Sequence, residues 1–297
     1  MSSYTPVPLP YFAPAHTLPA PLPTLEEVLS STRFLAPPLH PYATKRMNIV
    51  RVSKYFVAKY GEDVTSIEGE NMLFVKQHTT IPVPQVYAIY TFGEGKTMLI
   101  TEFIRGSTLE KCMIRMRPEH LDPIMEQLRA QIDELRRIPA PDYYGSIGRR
   151  PFLDPYTARR YGPFDTITDF ISAFFDTLFP PKGTQRFDDI KKFFSASLES
   201  IATAQGHIHP VFSHGDLHEL NIIVQRDGTP RIIDYETSGF YPAYHEYLMT
   251  QVLHCQFDIL SEKFPDEDQI DLDLRRAWYR AERDERFEEL GTNEEEK

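Results

Sequence analysis

Two short apolar runs in the second half of the chain, NIIVQ at 221–225 and RIIDY at 231–235, flank a turn that contains Arg-Asp-Gly-Thr. An Asp-Gly pair between β-branched runs strongly indicates a β-hairpin, which fixes where the polar residues at the strand ends must lie. Antiparallel pairing brings Asn221, at the start of the first run, and Asp234, near the end of the second, to the same end of the ribbon. An amide oxygen and a carboxylate placed in this way can share one hard cation such as Mg²⁺.

A third polar residue, Asp216, lies five residues before Asn221 in the loop sequence SHGDLHELN. We expect it to lie beside the cation without binding it. This arrangement suits phosphoryl transfer, in which Mg²⁺ clamps the nucleotide phosphates and a separate carboxylate orients the attacking hydroxyl. An Asp and an Asn at this spacing also occur in ordinary turns. Phosphoryl transfer is favoured because His-Gly precedes Asp216, Ile-Ile-Asp follows it, and a Val-Ala-Lys strand lies upstream.

Residues 46–104 predict a small antiparallel sheet that carries one helix. The adjacent runs MNIVRVS and YFVAKYG are typical of a hairpin, and QVYAIYTF and KTMLITEFI predict two further strands. GEGKT between the last two is interpreted as a hairpin turn, since a strand rather than a helix follows it and the first glycine of a phosphate loop is missing. Segment 66–79 predicts the helix, because Glu68, Met72 and Val75 fall on one face.

The remainder of the chain predicts a larger, mainly helical lobe at residues 105–285 and a charged tail at 286–297. Two apolar stripes at helical spacing support this prediction, one from Leu121 to Leu135 and one from Ile270 to Trp278.

The first 45 residues form a proline-rich leader, with ten of the 25 prolines of the chain among the first 41 residues. Such a composition favours extended, solvated backbone. It fits either a disordered leader or an arm packed on the domain, and TLEEVLSSTRFL within it predicts one short helix.

The charge balance and the cysteine content exclude several classes of function. A net charge of −11 repels phosphate backbones and anionic lipids, so neither nucleic acid nor a membrane is expected as a partner. The two cysteines, Cys112 and Cys255, have no metal-ligand spacing, and neither a disulfide framework nor a zinc site is expected. The chain has no long apolar run and no signal-peptide pattern, so we expect a cytoplasmic protein.

These motifs resemble those of a known family. HGDLHELN with IIDYE downstream is similar to the motif pair of the aminoglycoside phosphotransferase and choline kinase family, and IPVPQVYAIY, FIRGSTL and GFYPAYHEY resemble its fungal-type branch. The resemblance spans residues 46 to 260, approximately. It implies an α+β, bilobal protein-kinase-like fold, with a small antiparallel-sheet N-lobe carrying one helix and a larger, mainly helical C-lobe. It also implies ATP-dependent, Mg²⁺-requiring transfer of the γ-phosphate to a hydroxyl group of a small molecule.

The resemblance also implies roles for individual residues. Asp216 matches the catalytic base, and Asn221 and Asp234 match the residues that hold Mg²⁺. Lys59 in FVAK matches the strand lysine that contacts the nucleotide phosphates, and Glu68 matches its helix partner.

Further nucleotide contacts are expected from the backbone and from one loop. The segment TEFI connects the lobes, with backbone groups of Glu102 and Ile104 facing the adenine. The first hairpin has no glycine, so Ser53 and nearby amides are expected to take the place of a glycine-rich loop. Glu70, two residues after Glu68, is the alternative partner of the lysine.

Several assignments have competing interpretations. Glu236 is a candidate ligand for a second metal ion, His214 is interpreted as structural, and His218 as a solvated loop residue. A pseudokinase is the alternative function that the glycine-free hairpin favours. A protein kinase is less favoured, since Asp-Phe-Gly and Ala-Pro-Glu are missing.

Overall fold

The computed structural model describes residues 5–35, 47–154, 159–178 and 209–252. The N-terminal lobe is built on five strands, which are β1 (Tyr11–Phe12), β2 (Met47–Arg51), β3 (Phe56–Gly61), β4 (Val86–Phe92) and β5 (Lys96–Glu102). They form one antiparallel sheet in the spatial order β1-β4-β5-β3-β2. Both predicted hairpins are confirmed, because β2 pairs with β3 and β4 with β5. The glycines of GEGKT lie in the turn between β4 and β5, as predicted.

One helix, α2 (Ile67–His78), packs on one face of this sheet. The residues predicted to share one face of it, among them Met72 and Val75, are buried. A Cβ atom at Gly69 would lie 2.6 Å from Ile89 Cδ1, so glycine lets the first turn of the helix approach the sheet closely. The chain then leaves the helix in extended conformation and enters the proline segment that follows, where helical backbone is disfavoured.

The N-terminal arm, residues 5–35, covers the opposite face and both edges of the sheet. β1 pairs with β4 at one edge, and Phe34 forms a β-bridge with Val50 of β2 at the other. Between these contacts, the short helix α1 (Leu25–Leu29) inserts Val28, which is fully buried, into the cluster on this face. In the described residues the proline-rich leader is therefore a packed arm.

The second lobe contains more helix than strand in its described residues, and with the N-terminal sheet it gives the predicted α+β architecture. Its helices are α3 (Leu109–Arg115), α4 (Pro118–Arg136), α5 (Ile167–Leu178) and α6 (His245–Val252). Its short strands are β6 (Gly106–Thr108), β7 (Phe152–Leu153), β8 (Arg160–Tyr161), β9 (Pro210–Ser213), β10 (Ile222–Gln225), β11 (Pro230–Ile232) and β12 (Gly239–Pro242).

Most of the stripe predicted from Leu121 to Leu135 is the buried face of α4, whereas Leu121 itself is only partly buried. The stripe from Ile270 to Trp278 and the charged tail lie outside the described residues. Among the helices described, none combines the length and the apolar character that crossing a membrane requires.

Candidate active site

The hairpin of β10 and β11 forms as predicted, with Ile222 opposite Ile232. Just beyond this pair, the backbone N–H of Ile233 donates to the carbonyl oxygen of Asn221 at 2.9 Å. This bond holds Asn221 and Asp234 at the same end of the ribbon. Asp234 has a φ of +65°, a left-handed conformation that is uncommon outside glycine and is held only where surrounding contacts offset its strain.

Asp216 lies in the loop between β9 and β10, directly after Gly215. Gly215 has a φ of +85°, and a Cβ atom there would lie 3.0 Å from the carbonyl oxygen of Thr237, so this turn requires glycine. The side-chain Nδ2 of Asn221 donates to the backbone oxygen of Asp216 at 2.9 Å and to its Oδ2 at 3.2 Å. The loop therefore brings these two predicted residues into direct contact.

His218 belongs to the same cluster, and its interpretation as a solvated loop residue is wrong. Its Nε2 lies 3.6 Å from Asp216 Oδ2 and 3.1 Å from Asn221 Nδ2, while its Nδ1 accepts from the backbone N–H of Leu220 at 3.3 Å. Burial would lower the pKa of His218, but the hydrogen bond and charge of Asp216, together with the charges of Glu219 and Asp234, outweigh burial and raise the pKa. The one sequence signal is its position two residues after Asp216, which is too common in loops to identify a contact.

Two buried side chains hold this loop from behind. His214 Nε2 lies 3.0 Å from the carbonyl oxygen of Ile233, and burial lowers the pKa of His214, in agreement with its structural interpretation. Glu246, in the first turn of α6, accepts from the backbone N–H of His214 at 2.6 Å and of Gly215 at 3.2 Å. Burial raises the pKa of Glu246 to about 7, opposed by these two bonds. Glu246 is not predicted from the sequence, because no local pattern connects residues 32 positions apart.

Lys59 is buried among three carboxylates at the junction of the lobes. Its Nζ lies 2.7 Å from Glu68 Oε2, 3.0 Å from Asp234 Oδ1 and 2.9 Å from Glu236 Oε2. Burial would lower the pKa of Lys59, but the carboxylates raise it well above its usual value, so the ammonium is charged. Burial also raises the pKa of Glu68 to about 7; the charge of Lys59 opposes this shift, while those of Asp234 and Glu236 add to it.

The structure distinguishes the two glutamates that competed as partners of the lysine. Glu68 contacts Lys59, whereas Glu70 faces away and binds Arg150. That second pair is bidentate, with Arg150 Nη1 and Nη2 each 3.0 Å from one oxygen of the Glu70 carboxylate. The pair ties α2 to the second lobe, since Arg150 lies between α4 and β7.

Asn71 makes a second tie between α2 and the second lobe. It is fully buried, and its Nδ2 donates to the carbonyl oxygens of Tyr235 at 2.7 Å and of Ser238 at 3.2 Å. These two carbonyls belong to the turn that follows Asp234. Asn71 therefore links the helix that carries Glu68 to the turn that presents Asp234. This role of Asn71 is not predicted from the sequence.

Glu102 and Ile104 lie at the connection between the lobes, where they were predicted. The Glu102 carboxylate accepts from Arg231 Nη2 at 2.8 Å, which joins the end of β5 to β11. The backbone N–H of Phe103 donates to the carbonyl oxygen of Tyr55 at 2.7 Å. Among the described residues, the backbone N–H and C=O of Ile104 make no hydrogen bond, and they remain available to a ligand.

The structure does not bring Ser53 to the cluster around Lys59. It lies in the turn between β2 and β3, where its Oγ accepts from Tyr55 N at 3.0 Å and its carbonyl oxygen accepts from Arg51 Nε at 2.7 Å. This turn is at the end of the sheet beside the interlobe connection. Lys59 is four residues beyond Tyr55, roughly 13 Å along an extended strand, and its side chain points to the α2 face.

The donor atoms fit a magnesium ion. Asn221 uses its Nδ2 to contact Asp216, so its side-chain oxygen is the atom left for a cation. Asp234 uses Oδ1 to contact Lys59, which leaves Oδ2. Oxygens of Glu68, Asp234 and Glu236 all lie within 4.8 Å of one another. Hard cations bind such oxygen donors, and the described residues place one ammonium against three carboxylates, so this cluster has an excess of negative charge.

The residues described above lie mostly within a segment that matches a known protein family. The model of the phosphotransferase enzyme family APH matches residues 61–289, and no curated protein matches the sequence. Wild-type aminoglycoside 2'-phosphotransferase-IIIa, solved as a GDP complex, is similar at 14% identity and a TM-score of 0.52, over 82% of this chain and 74% of that chain. An apo thermostable mutant of aminoglycoside phosphotransferase APH(4)-Ia is similar at 18% identity and a TM-score of 0.49, over 67% of this chain and 66%, just under two thirds, of that chain. The first likeness shows the predicted fold.

Proposed function

Because the chain belongs to the phosphotransferase enzyme family, we propose that it transfers the γ-phosphate of ATP to a hydroxyl group of a small molecule, with Mg²⁺ as metal cofactor. The observation that carries this proposal is the junction of the lobes, where Asp216 contacts Asn221 and Lys59 contacts Asp234. The motifs GFYPAYHEY and IPVPQVYAIY support placing the chain in the fungal-type branch of the family.

Asp216 is the proposed catalytic base. Its Oδ2 accepts from Asn221 Nδ2 and lies near His218, and both contacts fix the orientation of the carboxylate. A carboxylate held in this way can align an acceptor hydroxyl and take its proton as the oxygen attacks phosphorus. Glu246 accepts hydrogen bonds from the backbone of His214 and Gly215, the two residues before Asp216. The loop that carries Asp216 is therefore fixed before substrate binds.

Lys59, Asn221 and Asp234 are the proposed ligands of the nucleotide phosphates and the metal. Mg²⁺, when bound by the side-chain oxygens of Asn221 and Asp234, supplies charge that neutralises the transferring phosphoryl group. Lys59 is held at the same place by Glu68, so its ammonium is oriented toward the phosphates before they arrive. Preorganised charge of this kind needs no rearrangement during the reaction.

The nucleotide base is proposed to lie against the interlobe connection at Glu102 and Ile104. Support comes from the backbone groups of Ile104, which have no partner among the described residues and lie at a half-exposed position between the lobes. One similar structure is a GDP complex, so ATP and GTP should be compared directly.

The test is a nucleotide-consumption assay over a panel of hydroxyl compounds that includes aminoglycosides, amino alcohols and sugars. Wild type is compared with Asp216→Ala and with Asp216→Asn, which keeps the size of the side chain and removes its basicity. Both variants should lose roughly 10²–10⁴ in turnover, the range expected for removal of a general base. Nucleotide affinity, measured by titration with and without Mg²⁺, should stay within about threefold of wild type because Asp216 does not hold the metal.

An active Asp216→Ala enzyme would contradict the assignment of the base. A wild type that binds nucleotide and transfers phosphate to no compound, and not to water, would contradict the proposed activity. A wild type that binds nucleotide equally well with and without Mg²⁺ would contradict the metal assignment.

A further inference from the structure

A cavity of about 520 Å³ lies between the N-terminal arm and the turn that joins β2 to β3. The arm contributes residues from Ala20 to Arg33, and the turn contributes residues from Arg51 to Phe56. The cavity shares no residue with the cluster around Lys59. Its volume is within the range of sites that bind small molecules.

The charge lining this cavity is opposite in sign to that of the whole chain. Three cationic side chains, Arg33, Arg51 and Lys54, line it, in a chain whose net charge is −11. Among the described lining residues the one carboxylate is Glu27, which lies at the start of α1 and accepts from the backbone N–H of Thr24 at 2.7 Å. The lining therefore has an excess of positive charge.

None of the three cations is neutralised within the part of the chain that the structure describes. Arg51 uses Nε to donate to the Ser53 carbonyl at 2.7 Å and stacks 4.0 Å over the Phe103 ring, and both contacts leave its terminal nitrogens without a carboxylate. Lys54 lies 4.9 Å from the centroid of the Tyr55 ring, and Arg33 forms no ion pair with any residue that the structure describes. Single unpaired cations are common on protein surfaces. Here three cations from two separate segments line one cavity, which is the arrangement that an anion-binding site requires.

Hydroxyl groups supply further donors. Ser53 Oγ accepts from the backbone N–H of Tyr55, so its own proton is available to a ligand in the cavity. Thr32 adds a hydroxyl from the arm side. Guanidinium groups form forked hydrogen bonds to phosphate, whereas an ammonium acts as a point charge, and a phosphate group uses both kinds of donor.

We propose that this cavity is a second ligand site, which binds a small molecule carrying a phosphate or diphosphate group through Arg33, Arg51 and Lys54. Ser53 belongs to this site and not to the one around Lys59. The site exists only because the arm packs against the sheet, since the arm supplies Arg33 and the wall opposite the turn. It is independent of the proposed transfer reaction.

Inorganic pyrophosphate is the probe that tests this proposal, titrated into the full chain by calorimetry at low salt and without Mg²⁺. The main variant is Arg33→Gln/Lys54→Gln, because both side chains are exposed and their loss leaves the core intact. The matched control is Lys111→Gln/Arg115→Gln, which removes the same two charge types from exposed positions on α3. Equal thermal unfolding midpoints for the three proteins would show that all are folded.

Wild type and control should bind with a dissociation constant below about 1 mM, and the main variant should bind on the order of tenfold more weakly. Equal affinity in all three proteins would place the pyrophosphate elsewhere, at the nucleotide phosphate position for example, and would overturn the proposal. Equal weakening in both variants would show a non-specific effect of net charge and would also overturn it. So would the absence of binding by wild type at about 10 mM probe.

Discussion

Glu246 provides the sharpest test of how the loop carrying Asp216 is held. It is 1% exposed, and its carboxylate accepts from the backbone N–H groups of His214 and Gly215. The other charged and titratable groups that act on it are Asp216 of the same loop, Arg136 of α4, and the tyrosines Tyr235 and Tyr241. Glu246→Gln keeps the shape of the side chain and removes its ionisation.

The pH dependence follows from the shifted pKa. Burial raises the pKa of Glu246 from 4.5 to about 7, so between these pH values the folded state retains a proton that the unfolded state has released. Stability therefore falls as pH rises through this window. From pH 5 to pH 8 the loss attributable to Glu246 is about 2–3 kcal/mol, at 1.36 kcal/mol per unit of pKa difference. Other titrating groups, including Glu68, are present in both proteins and cancel in the comparison.

The assay is urea unfolding of wild type and Glu246→Gln at pH 5 and pH 8. The variant should lose about 2–3 kcal/mol less stability over this interval than wild type. Glu126→Gln, at an exposed position on α4, removes the same charge and should reproduce the wild-type dependence. If Glu246→Gln and wild type lost the same stability between the two pH values, the carboxylate would not be buried against the loop as described.

Two further substitutions test the packing that positions the site. Asn71→Ala removes the two hydrogen bonds from α2 to the carbonyls of Tyr235 and Ser238, and should lower the free energy of unfolding in urea by about 1–3 kcal/mol. It should also weaken Mg²⁺-dependent nucleotide binding, measured by titration. Unchanged nucleotide binding would show that Asn71 does not position Asp234. Val28→Asp places a charge at a fully buried position of the arm and should cost more than about 3 kcal/mol, whereas Leu29→Asp, at a residue 49% exposed, should cost under about 1 kcal/mol; equal costs would mean that the arm does not pack on the sheet.

The features predicted correctly from the sequence were those encoded by local pattern. The hairpin that carries Asn221 and Asp234 follows from Asp-Gly between β-branched runs, and its register is set by neighbours in sequence. The helix carrying Glu68 follows from its 3.6-residue period, although the period alone could not choose between Glu68 and Glu70. That choice depends on Arg150, 80 positions away.

The features that were missed depend on contacts between distant segments. Ser53 is predicted as a substitute for a glycine-rich loop, and the sequence does not show that its turn lies apart from the Lys59 ammonium. His218 is predicted to be solvated, and its contacts are not predicted because the sequence does not show which elements pack over a loop residue. The composition of the arm also fits a disordered segment. The arm packs because its few apolar residues contact the face of the sheet opposite α2.

The cluster around Lys59 shows why both lobes are needed before the site has its chemistry. β3 supplies the lysine and α2 supplies Glu68, whereas Asp234 and Glu236 come from the turn after β11. Among the described residues, three carboxylates share one ammonium, which leaves an excess of negative charge. Burial, and after it the charges of Asp234 and Glu236, raise the pKa of Glu68 to about 7 against the opposing charge of Lys59. A divalent cation at Asp234 would offset the excess charge, so metal binding and docking of the lobes should stabilise each other. The ties through Asn71 and Arg150 hold the lobes together against this repulsion before any ligand binds.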